Sequence, residues 1–154
     1  MAVDARLPSP DTRVFSLPIR VYWEDTDAGG VVYHGAYVCF LERARSEWLR
    51  TLGVSQRAWR EREDLVFAVR GMQLDFLAAA HLDDLLEVES RLLVLGRASL
   101  GFGQRIVRAA DARVLLEARV RVACLAASTF RPRGLPEVLR GRFRDFLQPS
   151  VNEA

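Results

Sequence analysis

The chain has 154 residues, of which half are apolar and 27% are charged, and its formal net charge at pH 7 is +2. A compact domain of this size buries roughly 70% of the surface that its unfolded chain exposes, so it needs no disulfides or metals to hold a core. The composition excludes long disorder, a highly charged nucleic-acid binder and a coiled-coil rod. The sequence therefore predicts a single globular domain.

Two features of the composition bear on chemistry and location. All 22 basic residues are arginine, which excludes a Schiff-base lysine, a P-loop lysine and a lysine general base. Cys39 and Cys124 lie far apart without a CxxC motif, which favours a reducing compartment. No apolar run approaches the ~20 residues of a membrane span, and residues 1–10 are not a basic segment leading into an apolar one. We therefore expect a cytoplasmic protein without a membrane span.

The first thirty residues predict a strand and a loop. Residues 1–14 contain prolines and no periodic pattern, so we expect a loose N-terminal lead before a domain at residues 15–130. An extended strand is predicted at residues 15–23, and Pro18 within it indicates the edge of a sheet. The segment EDTDAGG, residues 24–30, has the polar and glycine composition of a tight functional loop.

A long amphipathic helix follows this loop. Its apolar positions recur at steps of three and four residues, at Tyr33, Tyr37, Phe40, Leu41, Ala44, Trp48 and Leu52. Polar residues fill the opposite face, at Glu42, Arg43, Arg45, Ser46, Glu47 and Arg50. Gly53 is a natural helix end, and a shorter helix is predicted around residues 55–63.

Four long strands are predicted after Asp64, because the apolar period there becomes two. They cover residues 66–76, 85–95, 99–109 and a run from Arg113, with short turns at 96–99 and 110–112. The clearest alternation sets Val114, Leu116, Ala118, Val120, Val122 and Cys124 against Glu117, Arg119 and Arg121. Residues 131–154 are predicted to form an irregular basic tail.

The order of these elements predicts the fold class. One strand, one long helix and four strands with short connections favour an α+β fold in which a mainly antiparallel, curved sheet wraps the central helix. Such a sheet leaves an edge and a face uncovered, so we expect self-association, most simply as a two-fold dimer.

The loop before the helix is the best candidate for a catalytic site. Asp25 and Asp27 precede a helix start whose first backbone N–H groups lack partners and attract an anion or a polarised carbonyl oxygen. The amide of His34 is one such donor, and the His34 imidazole could bind water or assist proton transfer. The competing interpretation is that either aspartate simply caps or turns the chain.

Other chemistries find less support in the sequence. The two histidines, His34 and His81, have no cysteine cluster near them, so we expect no metal site. Ser99, Ser128 and Cys124 lack any pattern that couples a nucleophile to a base. Residues 1–14 are too few for a helix-turn-helix module, and we expect no nucleic-acid partner.

The segment EDTDAGGVVYHGAYVCFLERARSEWLRTLG resembles the signature of the hotdog-fold acyl-CoA thioesterases, in the YbgC-like, Tol-Pal-associated group of the 4-hydroxybenzoyl-CoA thioesterase family. The resemblance extends from Phe15 to the FRPRGLP segment. It implies a hotdog fold, homodimers or homotetramers, and no cofactor beyond the coenzyme A of the substrate. It places the catalytic acid on Asp27, and both the catalytic histidine and the polarising amide on His34. Trp23 stands where the family often has tyrosine.

The resemblance also implies where substrate binds. The donor is an acyl-CoA or an acyl-carrier protein, whose phosphates suit arginine forks. The expected substrate-binding residues are Gly30, Val31, Tyr33, Tyr37, Arg97, Ser99, Arg131 and Arg133. Residues of the strands after Asp64 are expected to complete the pocket from the partner protomer. Two alternatives remain open, a hotdog enoyl-thioester hydratase and a non-catalytic scaffold that binds acyl thioesters, and the sequence does not predict the acyl group.

Overall fold

The computed structural model describes residues 13–149 of the chain. The elements in chain order are β1 (Phe15–Arg20), α1 (His34–Thr51), α2 (Gln56–Glu63), β2 (Leu65–Phe76), β3 (Leu85–Leu95), β4 (Ser99–Arg108), β5 (Arg113–Ala126) and α3 (Glu137–Arg144). The predicted order of one strand, a long helix and four strands is confirmed. Residues 1–12 of the predicted N-terminal lead lie outside the described residues, and the domain boundaries stay a prediction.

The five strands form one antiparallel sheet in the order β1-β3-β4-β5-β2. The predicted α+β arrangement of a mainly antiparallel sheet and one long helix is confirmed. Among residues 13–149, β1 lies at one edge, as Pro18 indicates, and pairs only with β3. β2 forms the other edge and, within the same residues, pairs only with β5, with a register shift between Val69 and Gly71. The two edge strands, β1 and β2, therefore each have one side without a hydrogen-bonded strand among the described residues.

Helix α1 packs its apolar stripe against the concave side of the sheet. Tyr37, Phe40, Leu41, Ala44, Trp48 and Leu49 are all buried. The helix ends where the sequence predicts, because Gly53 adopts a φ of 80° that favours glycine. The Leu52 carbonyl at this end accepts a hydrogen bond from Arg142 of α3.

A buried polar cluster crosses the middle of this core. Arg45 was expected on the solvent face of α1, but it is only 7% exposed. Its Nη1 donates to Oε1 of Gln104 on β4 at 2.8 Å. The Gln104 side-chain amide nitrogen donates in turn to the Leu41 carbonyl and to the hydroxyl of Ser90. The prediction for Arg45 is wrong because Gln104 on the sheet accepts a hydrogen bond from the buried guanidinium. The periodicity of the helix alone contains no information about this partner.

Two predicted segments differ from the structure. The first strand is shorter than predicted, because it ends at Arg20 and the chain then forms a 3-10 helix at Trp23–Asp25. The predicted irregular character of residues 131–154 is wrong for Glu137–Arg144, which form α3. Leu139 and Phe143 of this helix are fully buried in a core cluster that includes Trp48 and Leu49 of α1 and Leu92 of β3. The helix therefore closes one end of the core.

Asp64 fixes the junction between α2 and β2. Its carboxylate accepts hydrogen bonds from the backbone N–H and the hydroxyl of Ser128, at 2.8 and 2.7 Å. Its own backbone is left-handed, with a φ of 51°. The hydrogen bonds from Ser128 hold the pKa of the Asp64 carboxyl below its ordinary value of 3.8.

We expect Asp64→Asn to lower the melting temperature at pH 7, with a deficit that shrinks in acid. A folded-state pKa below the unfolded value gives stability that is present above pH 3.8 and is lost as the pH falls through the folded pKa. Asparagine tolerates the left-handed backbone, so the substitution removes mainly the charge. Asp83→Asn is the control, since Asp83 is also left-handed, with a φ of 68°. A deficit that is constant from pH 7 to pH 2 would contradict the assignment.

Candidate functional site

A tight hairpin presents the acidic loop at the start of α1. The Asp27 N–H donates to the Val31 carbonyl, the Gly30 N–H donates to the Asp27 carbonyl, and Thr26 bridges to Val32. Gly30 has a φ of 81°, the left-handed conformation that glycine adopts without strain. The hairpin sets Asp27 opposite Val31. Val31 precedes the first helical residue, His34, by three positions, and Asp27 precedes it by seven.

Asp27 is exposed and one of its carboxylate oxygens is free. Oδ1 accepts a hydrogen bond from the Gly29 N–H at 2.8 Å, which fixes the orientation of the carboxylate. Within residues 13–149, Oδ2 accepts no hydrogen bond. An oriented carboxylate with an open oxygen can act as a nucleophile or as a general base.

Asp25 has a structural position instead. It is buried, and its Oδ2 accepts a hydrogen bond from the Tyr22 N–H at 2.8 Å. Its carbonyl accepts a hydrogen bond from the Tyr33 N–H. Asp25 therefore turns the chain, which is the alternative that the sequence left open for either aspartate. Trp23, four residues before Asp27, is 79% exposed in the 3-10 helix.

His34 is the first residue of α1. Across the described part of the chain, no acceptor bonds its backbone N–H, as expected for the first turn of a helix. The positive end of the helix dipole adds to the attraction of this donor for an anion. The imidazole is exposed and lies against the ring of Tyr33, with 4.4 Å between ring centroids.

Tyr37 lies one helical turn below Tyr33 and is buried. Its hydroxyl oxygen accepts a hydrogen bond from the Ala80 N–H at 3.0 Å, and the Ala80 carbonyl accepts one from the Val32 N–H. Burial raises the pKa of the Tyr37 phenol above its ordinary value of 10.0. This placement ties α1 and the hairpin to the segment after β2. The substrate-binding role expected of Tyr37 stays a prediction.

We expect Tyr37→Phe to reduce the free energy of unfolding by about 1–3 kcal/mol, because the buried Ala80 N–H loses its acceptor. Thermal or urea denaturation measures this change. Tyr33→Phe is the matched control, since Tyr33 is half exposed and its hydroxyl bonds no described residue. Equal stability of the Tyr37 variant and wild type would show that the hydrogen bond is not needed to hold the segment.

Other features of this end of the sheet complete its surface. Val31 is partly buried, and Gly30 and Tyr33 are exposed on the hairpin side. Phe76 stands beside Tyr37, with 5.7 Å between ring centroids, and Phe76 and Leu77 are each more than half exposed. The sequence does not identify Ala80, because Ala80 contributes through its backbone N–H and carbonyl and its side chain has no polar group. Phe76 and Leu77 therefore add exposed apolar surface at the end of β2 next to Tyr37.

The four remaining candidates lie at the opposite end of the sheet. Arg97 is in the β3–β4 turn and Ser99 is the first residue of β4. The Arg97 carbonyl accepts a hydrogen bond from the Leu135 N–H. Arg131 and Arg133 follow β5, and the guanidinium of Arg133 donates to the Glu63 carbonyl at the end of α2. β3 has 11 residues, so these groups stand roughly 33 Å from the acidic loop. One protomer does not bring the two sets together.

The described residues contain no group of three histidine, cysteine, aspartate or glutamate side chains that could hold a metal ion. Cys39 and Cys124 are both free, the first exposed and the second buried. Within residues 13–149, no helix combines the length and the apolar character needed to cross a bilayer.

Comparison with known proteins identifies the class to which this fold belongs. The sequence profile of the thioesterase superfamily matches residues 29–115. The chain is 44% identical over 129 residues to the acyl-CoA thioesterase YbgC of Haemophilus influenzae, covering 84% of this chain and 93% of that protein. It is 46% identical over 134 residues to the acyl-CoA thioester hydrolase YbgC of Escherichia coli, covering 87% and 98% of the two chains.

A solved structure agrees with these sequences. The 1,4-dihydroxy-2-naphthoyl-CoA thioesterase from Synechocystis superposes with a TM-score of 0.81 at 25% identity, covering 88% of this chain and 99% of that one. The sheet wrapped around α1, with an acidic loop at the helix start, defines a hotdog-fold protein. The chain belongs to the thioesterase superfamily.

Proposed function

We propose that this protein hydrolyses acyl-CoA thioesters to a free acid and coenzyme A. The observation that supports it best is the pairing of an oriented, open carboxylate at Asp27 with an unpartnered N–H at His34, in one hairpin at a helix start. Relatives that the chain covers almost completely are named acyl-CoA thioesterase or thioester hydrolase. Thioesters have a good leaving group, so a carboxylate and an oxyanion donor suffice without a serine triad.

The reaction follows from the positions of these groups. With the thioester carbonyl oxygen at the His34 N–H, the helix start stabilises the negative charge that develops on that oxygen. Asp27 then attacks the carbonyl carbon, or removes a proton from a water that attacks it. In the first route the C–S bond breaks to release the thiolate, and water hydrolyses the resulting anhydride. In the second route the thiolate leaves and takes the proton from Asp27.

The complete site is a dimer site in this proposal. β2 is an edge strand of 12 residues, and Val69, Met72 and Phe76 are exposed along it. A long exposed strand with apolar side chains is a ready surface for pairing with a second copy. Two β2 edges paired antiparallel about a two-fold axis bring the Leu65 end of one strand towards the Phe76 end of the other. That pairing delivers the distant arginines of one protomer to the acidic loop of its partner.

Thiol release from a panel of short-chain, long-chain and aromatic acyl-CoAs tests the function. Turnover of at least one ester by wild type supports it and ranks the acyl groups. Saturable binding of the esters without any thiol release would instead support a scaffold, and release only from acyl-carrier protein would replace the proposed donor. The tetramer, the Tol-Pal association and the cytoplasmic location stay predictions.

A further inference from the structure

A cavity lies far from Asp27, where α2 meets the start of β2. Its volume is about 390 Å³, within the range of small-molecule sites. Its walls include Arg57, Trp59, Arg60, Phe67, Ala127 and Phe130, and we call it the Trp59 pocket. It lies beyond the Leu65 end of β2, and Tyr37 and the acidic loop lie near the Phe76 end.

The walls of the Trp59 pocket combine aromatic faces with positive charge. Trp59 and Phe67 are partly buried, whereas Phe130 is 66% exposed. Phe130 has a φ of 58°, which is rare for a residue other than glycine. The hydrogen bonds between Ser128 and Asp64 hold the turn that presents this ring. The ring is therefore displayed on a fixed turn while little of its surface is buried by the protein.

Arginines stand at the rim of the same pocket. Arg60 is exposed and bonds no described residue, and Arg57 makes only an exposed ion pair with Glu61 at 3.2 Å, which contributes little to stability. Arg131 is not among the lining residues, but it follows Phe130 in the chain, and its guanidinium is exposed and bonds no described residue. An occupant that matches this lining has a flat π-system for the aromatic faces and negative charge for the arginines.

We propose that the Trp59 pocket binds the nucleotide end of coenzyme A, with its adenine against the aromatic walls and its phosphates at the arginines. The inference rests on the proposed function and specifies the substrate site further. An aliphatic acyl chain would use the apolar walls but not the rim arginines. Since β2 separates the pocket from the acidic loop of the same protomer by roughly 36 Å, the thioester end lies at the Asp27 of the partner subunit.

Kinetics with two thioesters of the same acyl group test the ligand assignment. One substrate is the CoA ester and the other is the N-acetylcysteamine ester, which lacks the nucleotide. We expect Trp59→Ala and Arg60→Gln each to raise KM for the CoA ester about tenfold and to leave KM for the truncated ester unchanged. Arg62→Gln, an exposed arginine of α2 that does not line the pocket, is the matched control. Phe130→Asn is the second pocket variant, because asparagine tolerates a positive φ.

Several results overturn the assignment. Equal KM shifts for both esters would place the acyl group in the pocket, and unchanged KM values in folded variants would exclude the pocket. Direct titration with adenosine 3′,5′-bisphosphate, followed by calorimetry, is independent of turnover. Binding that the Trp59 and Phe130 variants lose supports the pocket even if wild type hydrolyses neither ester, whereas no binding to wild type counts against it.

Mixed dimers test the partner geometry. Asp27→Asn and Trp59→Ala chains are co-expressed with different tags and purified through both. If the site spans two protomers, each mixed dimer has one intact site in two and regains about half of the wild-type activity with the wild-type KM. If the pocket serves the Asp27 of its own protomer, no intact site exists and the mixed dimer keeps the raised KM.

Discussion

Asp27→Asn is expected to lower kcat/KM for acyl-CoA hydrolysis by about 10²–10⁴-fold while leaving the fold intact. The carboxylate is exposed and its only hydrogen bond among described residues, from the Gly29 N–H, can be kept by the asparagine oxygen. The substitution therefore removes the charge and basicity with little structural change. Thiol release and a melting curve, measured on the same preparation, separate loss of chemistry from loss of fold.

Glu24→Gln is the matched control for this experiment, because Glu24 is an exposed carboxylate three residues away that bonds no described residue. We expect it to keep full activity. Activity of Asp27→Asn within a few-fold of wild type would remove Asp27 from the mechanism. Single turnovers in isotopically labelled water then separate the two roles, since only attack by Asp27 can place labelled oxygen in its own carboxylate.

Gln104→Leu is expected to reduce the free energy of unfolding by about 1–3 kcal/mol, because a buried charged donor loses its hydrogen-bond acceptor. Gln104 is 2% exposed and supplies the one oxygen that the described residues offer to the Arg45 guanidinium. The guanidinium keeps its charge, because arginine does not deprotonate in folded proteins. The variant leaves this buried charge without a hydrogen-bond acceptor, with only the attraction of the Glu42 charge remaining, and Ser90 and the Leu41 carbonyl also lose a partner. Urea denaturation measures the change.

The double variant Arg45→Met with Gln104→Leu tests this cause. Removing both partners eliminates the unpaired charge, so we expect the double variant to be more stable than Gln104→Leu alone. A double variant that loses the sum of the two single effects would mean that the two side chains act independently, and that the cost of Gln104→Leu comes from packing.

The main elements could be predicted from the sequence because each depends on a local pattern. The apolar period of three and four residues gave α1 to within a residue at each end, and the period of two gave β2 to β5. Helix α3 was missed, because only Leu139 and Phe143 of its eight residues are buried and four of the other six are charged. Its formation depends on docking against β3 and the core cluster, which no local pattern encodes.

The candidate site was predictable as a segment but not residue by residue. The EDTD segment contains two aspartates, and the sequence does not distinguish their roles. The structure shows that the Asp25 carboxylate accepts a hydrogen bond from the Tyr22 N–H in a buried position, whereas Asp27 keeps one carboxylate oxygen free among the described residues. Tyr37 and Tyr33 have the same side chain, so the sequence does not show which of them is buried. Only the fold places the Tyr37 hydroxyl against the Ala80 N–H. The Trp59 pocket joins residues about 70 positions apart, a distance over which side-chain periodicity carries no information.

The hairpin that sets Asp27 before His34 also bears on how such proteins diversify. Asp27 and the His34 amide lie in one short stretch of chain, and their relative positions depend mainly on hydrogen bonds within residues 25–34, with one further bond from the Val32 N–H to the Ala80 carbonyl. The walls that would recognise an acyl group or a nucleotide come from distant strands and helices. Substitutions in those walls can therefore change which thioester is accepted without moving Asp27 or the His34 amide. Evolution or protein engineering can alter specificity and chemistry separately.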